Sequence, residues 1–489
     1  MVRCTMQDLI TKEILDRIEN GYCEVLGAGV SNVPLVKWLS ERGANITVRD
    51  KKSRENIKNA EELEGCARLV CGEEYLKGLG EHGEPGKTLI FRSPGMRPDI
   101  PEISAAVEKG CLLTSEMELF FRLTKANVIA VTGSDGKTTT TTLVGKILEA
   151  GAKKGRVFVG GNIGKPLLPE VDGMTRDDFA VVELSSFQLQ TMQTSARTAI
   201  ITNITENHLD WHKGMEEYTE AKYNVFRNGG CDKLILSADN ELARKAATCV
   251  DSKKTRLVFF SISAKSYGET VPEGIEDATA IYERDGVIYF SDGKTENELM
   301  KSSDIKIPGR HNVLNYMAAF AATADHVSPE AVRNVATEFG GVEHRIELVR
   351  ELGGVKYYNS SIDSTPTRTA AALAAFKEKV IVICGGYDKN LSYEPLAVTL
   401  CEKAKAVVLT GACADKIMTA LEGYEGYKTS GLLVYREPIF ESAVNKTREL
   451  AEKGDTVILS PAAASFDAFE NFMVRGNTFK KIVNSFENI

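Results

Sequence analysis

The sequence lacks the features that mark secreted, membrane-spanning or zinc-binding proteins. Its ten cysteines are scattered, with no Cys-x-x-Cys pair and no Cys/His group at the spacing of a zinc site. No run approaches the ~20 apolar residues of a membrane-spanning helix. Residues 1–17 mix charged and apolar side chains without the hydrophobic segment of a signal peptide. We therefore expect a cytoplasmic protein with reduced, mostly buried thiols.

Positive charge is in short supply as well. The chain has 60 Lys and Arg against 68 Asp and Glu, a net charge of −8, whereas nucleic-acid-binding proteins usually present a basic surface. Repeats and low-complexity linkers are also absent, and short apolar runs alternate with helical patterns throughout. This alternation is typical of parallel α/β units. At about 150 residues per domain, the length predicts roughly three domains.

The most informative segment is Ile-Ala-Val-Thr-Gly-Ser-Asp-Gly-Lys-Thr-Thr at residues 129–139. An apolar strand-like run leads into a loop of small residues and then into a helical pattern. Glycines let backbone N–H groups approach phosphate oxygens, a lysine neutralises their charge, and a hydroxyl reaches Mg²⁺. Val131 stands where the general phosphate-loop motif has its first glycine. The residues predicted to bind ATP phosphates here are Gly133, Ser134, Asp135, Gly136, Lys137, Thr138 and Thr139.

An earlier segment resembles a dinucleotide-binding βαβ unit. Gly27 and Gly29 follow an apolar run, and Asp50 ends the next strand-like run. Asn32 takes the place of the third glycine, which weakens the case for NAD but leaves a nucleotide phosphate at this helix start plausible. A later strand-like run ends in a further candidate loop, formed by Ser93, Pro94 and Gly95.

Carboxylates and histidines follow two strand-like runs after the phosphate loop. Glu183 ends the run 179–183, where a carboxylate suits Mg²⁺ or its waters. His208 and His212 lie with acidic residues in the segment 205–212, directly after the run 199–204. Neither His-Glu-x-x-His nor a cysteine ligand supports zinc here, so a second Mg²⁺ fits better. An ordinary polar loop remains the alternative.

Candidate ligand-binding residues also occur in the last third of the chain and just before it. Asn312 and Asn315 lie three positions apart at the start of an alanine-rich helix, where they could hydrogen-bond an adenine edge or simply cap the helix. Arg345 could stabilise a transferring phosphoryl group. Lys389 and Ser465 could bind a small carboxylate. Taken singly, each is equally consistent with a surface or turn position.

Taken in this order, the motifs resemble those of the Mur ligases, the ATP-dependent amino-acid ligases of peptidoglycan synthesis. The most specific marks are Glu-Leu-Ser-Ser-Phe-Gln-Leu at 183–189, Leu-Ser-Pro-Ala-Ala-Ala-Ser-Phe-Asp at 459–467, and the short nucleotide-binding first domain. Within the family, the likeness is to the members that add D-glutamate to UDP-N-acetylmuramoyl-L-alanine through an acyl phosphate. It implies an α/β fold of three domains: Rossmann-like at 1–122, a central P-loop ATPase-type parallel sheet at 123–340, and Rossmann-like at 341–489.

The resemblance also implies a role for each matching residue. Lys137 and Arg345 would act on the phosphates, Asn312 and Asn315 would lie at the adenine, and Thr138, Glu183, His208 and Lys222 would hold Mg²⁺, with Lys222 carbamoylated in Tyr-Thr-Glu-Ala-Lys at 218–222. The UDP-substrate residues would be Gly27, Gly29, Asp50, Ser93, Pro94, Gly95, Asn162, Ser185 and Gln188. The D-glutamate residues would be Ser364, Lys389, Ser465 and Phe472. The enzyme is expected to be a monomer that uses ATP and two Mg²⁺ ions.

One departure from the family pattern lies at Asn-Ser-Ser, residues 359–361, where the family usually has Asn-Asp-Ser. The missing aspartate is expected near the ATP ribose, and Asp363, three residues on, is a possible substitute. Three alternatives also stay open. They are a Mur or folylpolyglutamate-type ligase with another acceptor, a non-catalytic nucleotide-binding relative, and an NAD-dependent dehydrogenase.

Overall fold

The computed structural model describes residues 6–209 and 211–487, and it divides into two compact units. The first unit comprises Met1–Ser302 and Leu314–Val335, and the second comprises Ser303–Val313 and Ala336–Ile489. Within the described residues the strands form three sheets, of five, nine and six strands. No described helix is long and apolar enough to cross a membrane.

The first sheet is wholly parallel, with the strand order β3-β2-β1-β4-β5. Its strands are β1 (Tyr22–Leu26), β2 (Asn45–Asp50), β3 (Arg68–Cys71), β4 (Thr88–Arg92) and β5 (Leu112–Thr114). The accompanying helices are α1 (Met6–Asn20), α2 (Asn32–Ser40), α3 (Ala60–Glu64), α4 (Pro101–Glu108) and α5 (Glu116–Leu123). The loops after β1 and β4 are neighbours because these strands pair, which is where open α/β sheets bind ligands.

The second sheet, also in the first unit, has the order β14-β13-β12-β11-β10-β9-β6-β8-β7. Its strands are β6 (Asn127–Thr132), β7 (Val157–Gly161), β8 (Phe179–Glu183), β9 (Thr198–Ile201), β10 (Lys233–Ser237), β11 (Arg256–Ser261), β12 (Thr279–Arg284), β13 (Val287–Ser291) and β14 (Glu296–Lys301). Its helices are α6 (Lys137–Gly151), α7 (Ser186–Leu189), α8 (Met215–Arg227), α9 (Glu241–Lys245) and α10 (Tyr267–Thr270). Two more helices, α11 (Arg310–Thr323) and α12 (Pro329–Glu338), follow in the chain.

The expected parallel α/β pattern holds for most of this sheet and ends at β12. The strands β13 and β14 are antiparallel to their neighbours, and a bulge interrupts their pairing at Ile288 and Tyr289. Asp285 and Gly286 join β12 to β13 with φ angles of 51° and 78°, as a tight hairpin turn requires. The edge strand β14 carries exposed Glu296, Glu298 and Lys301.

Helix α6 shows how burial outweighs poor helix propensity. Its first half contains five consecutive threonines, which are weak helix formers. Leu143, Val144, Ile147 and Leu148 are each at most 1% exposed, as their shared face predicts. This burial holds the helix that begins at the phosphate loop.

The sheet of the second unit has the order β15-β16-β20-β17-β18-β19. Its strands are β15 (Glu347–Leu352), β16 (Val355–Asn359), β17 (Val380–Gly385), β18 (Ala404–Thr410), β19 (Leu433–Arg436) and β20 (Thr456–Leu459). Its helices are α13 (Pro366–Ala374), α14 (Glu394–Lys403), α15 (Ala414–Gly423), α16 (Phe440–Leu450) and α17 (Phe472–Asn484). Only β15 is antiparallel to its neighbour.

Candidate active site

The phosphate loop lies at the point where the strand order of the second sheet reverses. Strand β6 pairs with β8 on one side and with β9 on the other, so the loop after β6 is flanked by the carboxyl ends of both neighbours. Such switch points are the usual ligand sites of open parallel sheets. The loop then enters α6, whose first-turn N–H groups have no partner within the helix.

The backbone of the phosphate loop packs closely against the residues that follow β9. Gly133 has a φ of 151°, and a Cβ placed there would lie 1.9 Å from Thr202 Oγ1, so this position needs glycine. The Asp135 N–H donates to Asn203 Oδ1 at 2.9 Å, and the Ser134 N–H donates to the Asn203 carbonyl oxygen at 2.9 Å. The sequence after β9 therefore shapes the loop from the side.

Lys137 folds back over the loop that precedes it. Its Nζ atom donates to the carbonyl oxygens of Gly133, at 3.0 Å, and Ser134, at 2.9 Å. Thr138 follows it in the first turn of α6. A positive charge thus lies at the helix N-terminus, where the local field already favours anions.

Glu183 is a buried carboxylate at the carboxyl end of β8, directly opposite Val131 of β6. It is 1% exposed, and its Oε1 accepts a hydrogen bond from Asn162 Nδ2 at 2.8 Å. Its Oε2 has no hydrogen-bond partner among the described residues. An unsatisfied buried carboxylate oxygen is costly unless a cation meets it, which fits a metal ion beside the loop.

Lys222 reaches the same loop from α8. It is 1% exposed, and its Nζ donates to the Gly133 carbonyl oxygen at 2.7 Å. Burial, followed by the charge of Lys137, lowers the pKa of Lys222 well below its usual value, while Asp135 opposes the shift. Tyr218, one turn earlier, bonds Ser134 Oγ through its hydroxyl at 2.9 Å and places its ring beneath the Lys222 amine.

His208 lies against Phe187, in the helix that follows β8. It is exposed, whereas the other proposed Mg²⁺ ligands are half-buried or buried. It has a left-handed φ of 55°, and its ring centroid lies 4.9 Å from that of Phe187. Its neighbour His212 is buried instead and contacts Ser186 and Glu217. Within residues 6–209 and 211–487, no three His, Cys, Asp or Glu side chains form a ready-made metal site. A metal here would also need oxygen ligands from other groups.

Three of the residues predicted to bind the UDP-substrate, Asn162, Ser185 and Gln188, have structural partners of their own. Ser185 and Gln188 form a reciprocal capping box at the start of α7, with bonds of 3.2 and 2.9 Å. Asn162 orients Glu183, as described above. The sequence motif therefore builds a rigid corner beside the loop, and its substrate contacts remain a prediction.

The two asparagines predicted at the adenine differ in their contacts. Asn315 Oδ1 accepts a hydrogen bond from Thr140 Oγ1 at 3.2 Å, next to the start of α6. Asn312 Nδ2 donates to the Pro308 carbonyl oxygen at 2.6 Å, at the start of its own helix. Both are at least nine-tenths buried.

The first sheet brings together the residues predicted for the UDP end. Asp50 Oδ2 accepts the Ala28 N–H at 2.7 Å, within the loop formed by Gly27 and Gly29. Ser93 Oγ donates to the Leu26 carbonyl oxygen at 2.6 Å. The loops after β1 and β4 are thereby tied into one surface, continued by Pro94 and Gly95, and its contacts with the UDP group remain a prediction.

The second unit carries Arg345 on a tight turn before β15. The neighbouring residues His344 and Ile346 have left-handed φ angles of 63° and 45°, and His344 is buried. Asn359 Nδ2 lies 2.9 Å from His344 Nδ1 and 2.9 Å from Glu347 Oε2. Side chains of β15 and β16 therefore hold the turn in place. The Arg345 side chain itself is half-buried.

The residues predicted to bind D-glutamate are spread over several loops of this unit. Ser465 is 2% exposed, Ser364 and Phe472 are half-buried, and Lys389 is exposed. Arg475, for which no role was predicted, is buried and donates to Ser361 and to the carbonyl oxygens of residues 463 and 464. Burial lowers the pKa of Arg475 to about 10. Arg475 lies in the first turn of α17, within the sequence Phe-Met-Val-Arg-Gly at 472–476.

The chain is similar to known proteins over nearly its whole length. The model of the Mur ligase middle domain matches residues 131–323, and that of the Mur ligase glutamate ligase domain matches residues 344–463. A UDP-N-acetylmuramoylalanine–D-glutamate ligase of Acetivibrio thermocellus is 48% identical, over 96% of this chain and 98% of its own. The protein of the same name from Ruminiclostridium cellulolyticum is 45% identical, over 96% and 97%.

Two solved structures are similar in fold. A UDP-N-acetylmuramate–alanine ligase from Thermotoga maritima superposes with a TM-score of 0.53 at 19% identity, covering 95% of this chain and 99% of its own. A pseudomurein peptide ligase type C from Methanothermus fervidus gives a TM-score of 0.50 at 17% identity, covering 96% and 100%. At these identities the likeness concerns the fold alone.

Proposed function

The chain belongs to the Mur ligase family, and we propose from this membership that it adds D-glutamate to UDP-N-acetylmuramoyl-L-alanine, with ATP, in peptidoglycan precursor synthesis. The structural observation that carries the proposal is the cluster at the carboxyl ends of β6 and β8. There the loop of Gly133, the Lys137 ammonium, the Glu183 carboxylate and the buried Lys222 amine lie together. An ATP-dependent ligase needs such a cluster because it must bring two anions, a carboxylate and a triphosphate, into contact.

The proposed reaction has two steps. In the first, a carboxylate oxygen of the alanine end attacks the γ-phosphorus of ATP, and ADP leaves. In the second, the amine of D-glutamate attacks the acyl carbon of the resulting acyl phosphate, an amide forms, and inorganic phosphate leaves. Charge neutralisation and alignment supply most of the catalysis in phosphoryl transfer.

The ATP phosphates would lie on the loop from Gly133 to Thr139. Lys137 can turn its Nζ from the two loop carbonyl oxygens towards the β- and γ-phosphates, because a phosphate is the stronger acceptor. Asn312 and Asn315 are proposed for the adenine. Arg345, which belongs to the second unit, is proposed to stabilise the charge of the transferring phosphoryl group.

The donor set beside the loop fits Mg²⁺. Glu183 offers a buried, unpartnered carboxylate oxygen, and Thr138 offers a hydroxyl at the position that phosphate loops use for this ion. His208 and Lys222 are proposed for a second ion. When bound, Mg²⁺ would neutralise the phosphate charge, while Asn162 keeps Glu183 in place.

Lys222 is proposed to be carbamoylated. Its lowered pKa favours the neutral amine, which is the form that reacts with CO₂, whereas an ammonium would be a poor neighbour for a metal ion. The carbamate would convert this amine into an oxygen ligand of the kind that Mg²⁺ prefers.

The remaining assignments concern the two ends of the substrate pair. The surface formed by Gly27, Gly29, Asp50, Ser93, Pro94 and Gly95 is proposed for the UDP group, and Asn162, Ser185 and Gln188 for the muramoyl-alanine end. Ser364, Lys389, Ser465 and Phe472 are proposed for D-glutamate. A three-domain division at 122/123 and 340/341, and a cytoplasmic monomer, complete the proposal.

The test is phosphate release from ATP in the presence of UDP-N-acetylmuramoyl-L-alanine. Release with D-glutamate, and not with L-glutamate or without an amino acid, is the expected result. Release with a different amino acid would leave the chemistry intact and overturn the assignment of D-glutamate. ATP binding without release in any mixture would instead favour a non-catalytic relative, and NAD binding would favour a dehydrogenase.

A further inference from the structure

The turn that carries Arg345 has an unfavourable backbone on both sides of the arginine. His344 and Ile346 have φ angles of 63° and 45°, a region that L-residues rarely occupy and that a β-branched side chain such as isoleucine particularly disfavours. Such a conformation persists only when surrounding contacts over-determine it. The contacts of these two residues therefore show what sets the position of Arg345.

His344 is fixed by its backbone and by its ring. Its N–H donates to Glu347 Oε2 at 2.9 Å, and its Nδ1 accepts from Asn359 Nδ2 at 2.9 Å. The ring also packs edge-on against Phe472, with centroids 5.8 Å apart. On its other side lies Gly476, where an added Cβ would come within 2.2 Å of Nδ1.

Ile346 is fixed through a short hydrogen-bonded chain. Its N–H donates to Ser360 Oγ at 3.1 Å, and the Asp363 N–H in turn donates to the Ser360 carbonyl oxygen at 3.0 Å. Ser460 Oγ donates to Asp363 Oδ2 at 2.8 Å. Both serines are fully buried, and Asp363 is 6% exposed, so water does not compete for these bonds.

We propose that Ser360 and Asp363 are positioning residues, which hold the turn around Arg345 so that its guanidinium is aligned for phosphoryl transfer. The Ser360 hydroxyl accepts from the turn, the Asp363 N–H donates to the Ser360 carbonyl oxygen, and the Asp363 carboxylate is anchored just after β20 through Ser460. The inference rests on the proposed function, since it assigns Arg345 its part in the transfer.

Two other roles for the pair predict different kinetics. A direct contact with the nucleotide would make its loss appear in the KM for ATP. A role in packing alone would lower stability and leave the turnover of the folded protein unchanged. An action through Arg345 lowers kcat, because the guanidinium acts in the transition state, and leaves the KM for ATP nearly constant.

The kinetic test is a double-mutant cycle between Ser360→Ala and Arg345→Lys. We expect Ser360→Ala to lower kcat roughly tenfold in the wild-type background, and by less than about twofold when Arg345 is already changed, because both changes then disturb one interaction. Asp363→Asn, which keeps an acceptor oxygen, should lower kcat less than Asp363→Ala. Glu351→Gln, which neutralises an exposed carboxylate on the following strand, is the matched control.

An equal fold-decrease in kcat on Ser360→Ala in the wild-type and Arg345→Lys backgrounds would overturn the proposal. A rise in the KM for ATP at constant kcat would overturn it as well.

A second readout does not depend on turnover. In Ser360→Ala, amide hydrogen exchange of a peptide spanning 342–350 should accelerate, while a peptide from β6 stays protected. Unchanged exchange would overturn the link between Ser360 and the turn. If the wild type released no phosphate with any amino acid, the proposed function would fail, and the exchange result would still decide the link.

Discussion

The Nζ atom of Lys222 lies 2.7 Å from the carbonyl oxygen of Gly133, in a site where the lysine is 1% exposed. A buried cation beside another lysine is unfavourable, and this is why its pKa is lowered. The contact places a reactive amine at the first glycine of the phosphate loop. The first prediction concerns the chemistry of this amine.

Turnover should depend on dissolved CO₂ if Lys222 is carbamoylated. We expect activity in CO₂-depleted buffer to fall by about tenfold or more and to return on addition of bicarbonate, because the carbamate ligand is lost and re-formed. The amine releases a proton when it forms the carbamate, so the effect of depletion should be larger at lower pH. Lys222→Gln should be inactive and insensitive to bicarbonate.

Lys146→Gln is the matched control for that experiment. Lys146 lies on α6 in the same unit and is exposed, so the variant should keep wild-type turnover and its CO₂ dependence. Equal wild-type activity with and without CO₂ would contradict the carbamate.

Lys137→Ala should abolish turnover while leaving the fold intact. The Lys137 side chain is half-buried, and its ammonium donates to the carbonyl oxygens of Gly133 and Ser134. We expect kcat to fall by about a thousandfold or more, as for the loss of a cation that faces the transferring phosphoryl group. Substantial residual turnover would remove the phosphate-loop assignment. Circular dichroism spectra would verify that the variant is folded.

Glu183→Gln should weaken the binding of Mg²⁺ at this site. The buried Oε2 has no partner among the described residues, so the charge favours a cation. We expect the Mg²⁺ concentration for half-maximal turnover to rise by about tenfold, because one charged oxygen ligand is lost. Glu170→Gln, at an exposed position before the same strand, should leave the Mg²⁺ curve unchanged. Identical curves for wild type and Glu183→Gln would contradict the site.

Glu116 gives a prediction about stability and pH that is independent of activity. Burial raises its pKa from 4.5 to about 7, and it is 5% exposed at the start of α5. The folded state therefore binds a proton more tightly than the unfolded state. The associated stability is fully present below about pH 4.5 and is lost as the pH rises to about 7.

Replacing the Glu116 carboxylate by an amide should remove this loss of stability at high pH. At pH 8, Glu116→Gln should raise the free energy of unfolding by about 3 kcal/mol, and the gain should shrink towards pH 5. Urea unfolding at the two pH values measures it. The exposed Glu108→Gln variant should show no such pH dependence. A gain of the same size at both pH values would contradict the assignment of the buried charge.

The sequence predicted the elements that carry strong local patterns. The strand at 179–183 was expected with its observed bounds, and a helix was expected after the phosphate loop, because apolar periodicity and a glycine-rich loop are local signals. The hairpins were missed, although Asp285-Gly286 and Gly353-Gly354 are turn dipeptides with left-handed φ angles. They were outweighed by the surrounding parallel pattern.

The candidate site was predictable in its parts and not in its contacts. Position within a motif indicated Lys137, Glu183 and Lys222, but only the structure shows the Lys222 amine on the Gly133 carbonyl. The contacts of Ser360 with Ile346 and Asp363 likewise depend on how the chain turns after β16, which spacing along the sequence does not fix. Burial, which lowers the pKa of Lys222 and raises that of Glu116, comes from distant parts of the chain.

The edge strand β14 has a consequence for how the protein can be handled. An open edge exposes backbone N–H and C=O groups that can pair with another copy and begin aggregation. Glu296, Glu298 and Lys301 place charges along this edge, and the bulge in the adjoining pair distorts it. These charges discourage edge-to-edge association at high concentration. Apolar substitutions here would therefore shorten the shelf life of a concentrated solution and leave turnover unaffected.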